Sequence, residues 1–75
     1  MEDIESLTDR EKKVLLSLIK GETNRFIASH MFISVSTVKA HVSSIIHKLN
    51  VTNRVEAAVK GVHLLEATEL KISKE

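Results

Sequence analysis

The chain has 75 residues, a formal net charge of +1 and no cysteine, so it can form at most one small domain, without disulfide bonds or thiolate metal sites. It contains two Phe, no Tyr or Trp, no Pro and two Gly, which predicts an aliphatic core and disfavours a turn-rich β fold. No apolar run approaches the roughly 20 residues of a membrane span, and the acidic start MEDIES does not resemble a signal peptide. We therefore expect a soluble, cytoplasmic protein that does not associate with a membrane.

The first helix is predicted over residues 8–20. Thr8 and Glu11 have the spacing of a capping box, in which each side chain accepts a hydrogen bond from a backbone N–H at the helix start. Gly21 is expected to end the helix, because glycine tolerates the left-handed conformation. The apolar stripe between these signals comprises Val14, Leu15, Leu18 and Ile19.

A short second helix is predicted over residues 24–32, with Thr23 as its N-cap. Its apolar face comprises Ile27, Ala28 and Met31. Only about three residues separate this helix from the next one, and so tight a connection predicts a helix-turn-helix.

The third helix is predicted over residues 35–49, capped by either Ser34 or Ser36. Asn50 is expected to end it, because Asn adopts the left-handed conformation more readily than other non-glycine residues. The predicted buried face comprises Val38, Val42, Ile45 and Leu49. The predicted outer face comprises Ser36, Lys39, Ala40, Ser43 and His47.

A fourth helix is predicted over residues 54–66, where Asn53 and Glu56 form a weaker capping-box pattern. Its predicted apolar face comprises Val55, Ala58, Val62 and Leu65. Residues 67–75 either extend this helix or form a tail, and the sequence leaves both open.

These elements predict an all-α fold, a compact four-helix bundle that contains a helix-turn-helix. The domain is expected over residues 7–66, preceded by an N-terminal extension at residues 1–6.

Charge is unevenly distributed along the chain. No Asp or Glu occurs from Thr23 to Val55, a window that contains two Arg, two Lys and three His. A small domain with charges segregated in this way has one electropositive side, which suits a polyanion such as nucleic acid. Chance clustering of the acidic residues near the chain ends is the alternative.

The outer face of the third helix predicts contact with DNA. Its small side chains would allow a base edge or a sugar–phosphate wall to come close, while Lys39 extends from among them. The helix start offers free N–H groups and a partial positive charge to a phosphate, and a B-form major groove admits one α-helix. An ordinary amphipathic helix with a solvated polar face is the alternative.

The segments LTDRE, KGETN, TVKAH and RVEAA occur in this order between residue 7 and about residue 65. In these segments and their spacing the chain resembles the LuxR-type (GerE-like) helix-turn-helix domain, and the last segment is especially similar to response regulators of the NarL type. The resemblance implies a DNA-binding transcription regulator with the third helix as recognition helix. The chain would be either a complete small regulator or the effector domain of a response regulator.

The resemblance also implies roles for individual residues. The expected base-reading positions are Lys39, Ala40 and Ser43. The expected phosphate contacts are Thr37, His41 and Lys48, with Asn24 and Arg25 bracing the DNA backbone from the second helix. Apart from the resemblance, the hydroxyls of Ser36 and Thr37 at the start of the third helix are expected to donate to a phosphate. The fourth helix would form a weak homodimer contact, made mainly on DNA, through Val59, Val62 and His63. A contact with RNA polymerase is left open.

Three positions depart from the family pattern. Phe26 stands where the family usually has Glu, so it either packs or marks a surface for a partner. Asn50 stands where Gly is usual, which is a mild change of conformation. Ser43 is small where some relatives carry a long basic residue, which predicts modest intrinsic affinity for DNA.

Metal, cofactor and enzyme functions are not expected. His41 and His47 are separated by about 240° around a helix, so their side chains diverge, and no acidic residue or cysteine lies nearby in sequence. No carboxylate in the acid-free window could orient a histidine base, and no Gly-rich phosphate loop is present. The remaining alternative is a protein-interaction module that keeps the fold without DNA contacts, with Phe26 and the fourth helix as its surface.

Overall fold

The computed structural model describes residues 4–66 and shows an all-α fold. A short 3-10 helix, Ile4–Ser6, is followed by α1 (Asp9–Ile19), α2 (Asn24–Met31), α3 (Val35–Lys48) and α4 (Arg54–Leu65). The predicted fold class is confirmed, and each helix begins and ends within one residue of its predicted bounds. Residues 67–75 lie outside the described residues, as do residues 1–3 of the expected extension.

Side-chain caps begin the helices where the sequence predicts them. In the capping box of α1, Glu11 N donates to Thr8 Oγ1 at 3.1 Å and Thr8 N donates to Glu11 Oε1 at 2.9 Å. Thr23 Oγ1 accepts from Phe26 N at 3.1 Å. Of the two candidate caps of α3, Ser34 is the one used, since its Oγ accepts from Thr37 N at 3.0 Å.

The cap of α4 differs in one respect from a capping box. Asn53 Oδ1 accepts from Glu56 N at 2.9 Å, as predicted. The return hydrogen bond reaches one residue further back, because both the N–H and the hydroxyl of Thr52 donate to Glu56 Oε1. These bonds, the hydroxyl first, lower the pKa of Glu56 below its usual value.

Three residues with positive φ end the first three helices. Gly21 and Asn50 have φ of 78° and 58°, as predicted. Phe32, which follows α2, has φ of 60°, and no sequence signal predicted this. The left-handed conformation is unfavourable for a bulky side chain, and the side chain of Phe32 is 93% exposed, so packing does not offset the strain.

The core is aliphatic and is formed by α1, α2 and α3 together with Ala57 of α4. The predicted buried faces of α1 and α3 are confirmed: Val38, Ile45 and Leu49 are fully buried, and Val42 is nearly so. The largest fully buried side chains are Leu15, Ile27, Ile45, Leu49, Val14 and Val38. Leu7 is part of this core and Ile4 packs against it, so the expected extension contacts the domain through Ile4.

The predicted apolar face of α4 is wrong at Val55, whereas Ala58 packs against the core as predicted. Val55 is 68% exposed, whereas Ala57 and Gly61 are buried. The reason is the close approach of α4 to α1, since a Cβ built on Gly61 would lie 2.9 Å from Leu15 Cδ1. Only small residues fit at that distance, so α4 packs through its smallest side chains and leaves Val55 to solvent. None of the helices between residues 4 and 66 is long and apolar enough to cross a bilayer.

Candidate nucleic-acid interface

The outer face of α3 is presented to solvent as the sequence predicts. The exposed side chains are Ser36, Lys39, Ala40, Ser43 and His47, and the opposite face of the helix is buried in the core. The 14 residues of α3 give it a length of about 21 Å, enough to lie along a major groove. On this face Lys39 is surrounded by small side chains, and no carboxylate is present. The face therefore allows close approach of a polyanion.

The first turn of α3 is built from hydroxyl groups. Ser34 Oγ and Thr37 Oγ1 are 2.9 Å apart and share one hydrogen bond. Since each hydroxyl carries one hydrogen, the pair keeps a second hydroxyl hydrogen for an external acceptor. Ser36 is exposed beside them, and the helix start adds its partial positive charge. Together these groups form a site suited to a phosphate.

The start of α2 is tied to the start of α4 by an arginine to which no role was assigned from sequence. The guanidinium of Arg54 donates from Nη1 to Asn24 Oδ1 and from Nη2 to the carbonyl oxygen of Glu22, the latter at 2.9 Å. Two of its five N–H donors are therefore used. Arg54 lies with Asn24, Lys39 and Ser43 around one shallow groove beside α3, so it adds a fixed cation there. Arg54 lies in the acid-free window from Thr23 to Val55. The sequence does not show its contact with Asn24, so nothing distinguished Arg54 from the other cations of that window.

A buried carboxylate fixes α3 against α1. Glu11 is 5% exposed, and its side chain accepts hydrogen bonds from Ser44 Oγ at 2.6 Å and Lys48 Nζ at 2.8 Å, besides Thr8 N. Burial on its own would raise the pKa of Glu11, but the bonds from Lys48, Ser44 and Thr8 outweigh it and lower the pKa to about 2. The carboxylate is therefore charged at neutral pH and fixes the rotation of α3 against α1.

Lys48, an expected phosphate contact, is directed towards α1. Its ammonium forms an ion pair with Glu11, and its side chain is 33% exposed. One of its three N–H donors is used in that pair, so its first role is inside the domain. The phosphate contact expected for Lys48 stays a prediction.

The remaining expected site residues are divided between surface and boundary positions. Arg25 is exposed in the first turn of α2, while Asn24, Thr37 and His41 are half-buried. No three His, Asp or Glu side chains within residues 4–66 converge in a way that could hold a metal ion.

The expected dimer residues lie at or near the surface of α4. Val59 is 52% exposed, His63 is exposed and Val62 is half-buried. Val55, one turn before Val59, extends this apolar surface.

Comparison with known proteins identifies the fold family. The family model of bacterial regulatory proteins of the luxR family, GerE, matches residues 5–60. The chain belongs to the luxR family. The resemblance read from the LTDRE, KGETN, TVKAH and RVEAA segments is thereby confirmed.

Curated relatives of this luxR-family domain are transcription regulators and response regulators. The chain is 46% identical over 55 residues to the transcriptional regulatory protein LiaR of Bacillus subtilis, covering 73% of this chain and 26% of that protein. It is 48% identical over 56 residues to a nitrate/nitrite response regulator protein homolog of Haemophilus influenzae, covering 75% and 27%. It is 50% identical over 58 residues to the glycerol metabolism activator of Pseudomonas putida, covering 77% and 26%. The chain thus matches about a quarter of the length of these relatives.

Proposed function

We propose that the chain is the sequence-specific DNA-binding domain of a transcription regulator and that α3 enters the major groove. The observation that carries this proposal is the exposed outer face of α3, small and acid-free around Lys39, on a helix whose rotation is fixed by Glu11. Membership of the luxR family supports it. The alternative of an interaction module without DNA contacts is not favoured by that membership.

Within this proposal the exposed face reads bases and its surroundings contact phosphates. Lys39, Ala40 and Ser43 face the base edges, where a lysine reaches the acceptors of guanine and small side chains permit close contact. The phosphate contacts comprise Ser36, Thr37, His41, Asn24 and Arg25, with Arg54 as an addition from the structure. Lys48 serves first as the partner of Glu11, and its own phosphate contact remains part of the proposal.

Dimeric helix-turn-helix proteins bind two half-sites, and we extend the proposal to such a pair. Half-sites would be about 10 base pairs apart or a multiple of that, with Val59, Val62 and His63 of α4 between the copies. A contact with RNA polymerase and a cytoplasmic location belong to the same proposal. A longer response regulator and a complete small regulator both remain compatible with it.

The test is fluorescence anisotropy of the purified chain with mixed-sequence duplex DNA across a salt series. The wild type should bind and weaken steeply with salt, because binding releases counterions from phosphates. Lys39→Ala should weaken binding by about 1–3 kcal/mol, which is roughly fivefold or more. Lys13→Ala is the matched control, since it removes the same charge from an exposed position on α1 and should bind like the wild type.

Two outcomes contradict the proposal, provided that circular dichroism shows all variants folded. In one, Lys39→Ala and Lys13→Ala weaken binding equally, so that only total charge matters. In the other, the wild type does not bind at low salt.

A further inference from the structure

Both phenylalanines of the chain lie on the surface, on and just after α2. Phe26 is 50% exposed and Phe32 is 93% exposed, and the buried core contains neither. Phe32 also carries a positive φ of 60°, a conformation that is unfavourable for a bulky residue. The fold gains no packing from this side chain, so its presence points to a contact outside the domain.

The two rings face the same groove, between α1 and α2. Leu16, which is 44% exposed, and Met31 supply further apolar surface to this groove, which has a volume of about 610 Å³. The ring of His30 stacks on Phe26, with centroids 5.6 Å apart and an interplanar angle of 11°, so Phe26 is held against the helix surface. A groove with aromatic and aliphatic walls accepts large apolar side chains.

The rim of the groove is cationic. Arg10, Lys13 and Lys20 line it and are exposed, and Glu22 is the one acidic residue in the lining. The ion pair Lys48–Glu11 lies elsewhere, and within residues 4–66 the side chains of Arg10, Lys13 and Lys20 form no ion pair, so the three cations are available to an external anion. When the charges of a partner are complementary to those around an apolar centre, they give specificity and raise the rate of association.

These features select one occupant. Phosphates alone would leave the apolar walls unused, and no residue of α3 lines the groove. A symmetric contact with a second copy would place the same cations opposite one another. We propose that the groove between α1 and α2 binds an acidic amphipathic segment of a partner protein, with Leu or Phe side chains between the two phenylalanines and Asp or Glu on the cationic rim.

The experiment is selection of a displayed library of random peptides on the immobilised chain, followed by affinity measurement on the selected peptides. Enriched sequences should combine large apolar residues with Asp or Glu. Phe26→Glu and Lys13→Glu should each weaken their binding at least tenfold. Phe26→Glu places a charge against the apolar side chains of the peptide, and Lys13→Glu places a carboxylate against its Asp or Glu. DNA binding should be retained in both variants, which separates this inference from the proposed function.

Phe32→Asn separates binding from folding, because it should lower peptide affinity without lowering the melting temperature. Asn accepts the left-handed conformation, as Asn50 does here, so the melting temperature should hold or rise while peptide affinity falls. Val55→Asn and Lys39→Ala are the matched controls. They remove an exposed apolar side chain from α4 and a charge from α3, and should leave peptide affinity unchanged.

Four results overturn the inference. Selection could enrich no peptide, or could enrich peptides without acidic residues. Acidic peptides could lose affinity with Lys39→Ala and keep it with Phe26→Glu, in which case they imitate DNA on α3. The chain could self-associate in sedimentation and lose that association with Phe26→Glu, which would make a second copy the occupant.

Discussion

Glu11 links the start of α1 to α3 through one carboxylate. The sequence predicts its bond to Thr8, because a capping box is formed within four consecutive residues. The contacts with Ser44 and Lys48 span 33 and 37 residues, so they depend on how α3 docks on α1, which no local pattern encodes. The same limit applies to Arg54 and Asn24, which lie 30 residues apart. The exposed residues of the site were predictable from helical period, whereas the residues that hold α3 in place were not.

Replacement of this carboxylate should change how stability depends on pH. The pKa of Glu11 is lowered from its usual 4.5 to about 2 in the folded chain. Its contribution is therefore present above pH 4.5 and is lost as pH falls towards 2, and it amounts to about 3 kcal/mol. Glu11→Gln should be less stable at pH 7, and its stability should vary less between these pH values. Urea unfolding at several pH values measures both.

The difference between the pH profiles of the wild type and Glu11→Gln reports the contribution of Glu11 separately from those of the other carboxylates. The lowered pKa of Glu56 acts in the same direction, but it is present in both proteins and cancels. Parallel pH profiles for wild type and Glu11→Gln would show that the bonds from Lys48 and Ser44 do not stabilise the charged form.

At the scale of the element, helix ends were predictable and one helix face was not. Caps and left-handed residues act within a turn, so Thr8, Thr23 and Asn50 fixed helix bounds from sequence alone. The face of α4 depends on the distance between helices. Because α4 carries valines on more than one side, periodicity favoured the face with the larger side chains, whereas close packing against α1 requires Ala57 and Gly61.

Gly61→Ala should therefore destabilise the fold, although Ala favours a helix by about 1 kcal/mol over Gly. Its Cβ would lie 2.9 Å from Leu15 Cδ1 and 3.1 Å from Ile19 Cδ1. Leu15 is fully buried and has little room to move, and overpacking of this kind costs about 1–3 kcal/mol. The difference of these two effects is a net loss of up to about 2 kcal/mol, which thermal unfolding measures.

A double-mutant cycle with Leu15→Val tests the cause of that loss. Shortening Leu15 should relieve part of the clash, so the combined cost should be smaller than the sum of the single costs. A melting temperature that rises with Gly61→Ala alone would show that α4 can move away from α1 without penalty.

At the scale of the whole molecule, three surfaces lie on different helices. The outer face of α3 suits DNA, the groove between α1 and α2 suits an acidic segment, and α4 exposes Val55 and Val59.

A domain this small has a thin margin of stability, since it buries only about 60% of its unfolded surface. Exposed valines on one face of α4 do not stabilise the monomer, and pairing of two copies on DNA would cover them.

Val59→Glu should therefore reduce cooperative binding to DNA with two half-sites and leave binding to one half-site unchanged. Two carboxylates would face each other across a symmetric α4 contact, while α3 would be unaffected. Once an operator has been selected, gel-shift titrations on one-site and two-site duplexes measure the difference. Phe26→Glu is the control, because it adds the same charge at another exposed apolar position and should keep the cooperativity. Equal cooperativity in Val59→Glu and wild type, or a footprint that covers one half-site, would place the contact between copies outside this face of α4.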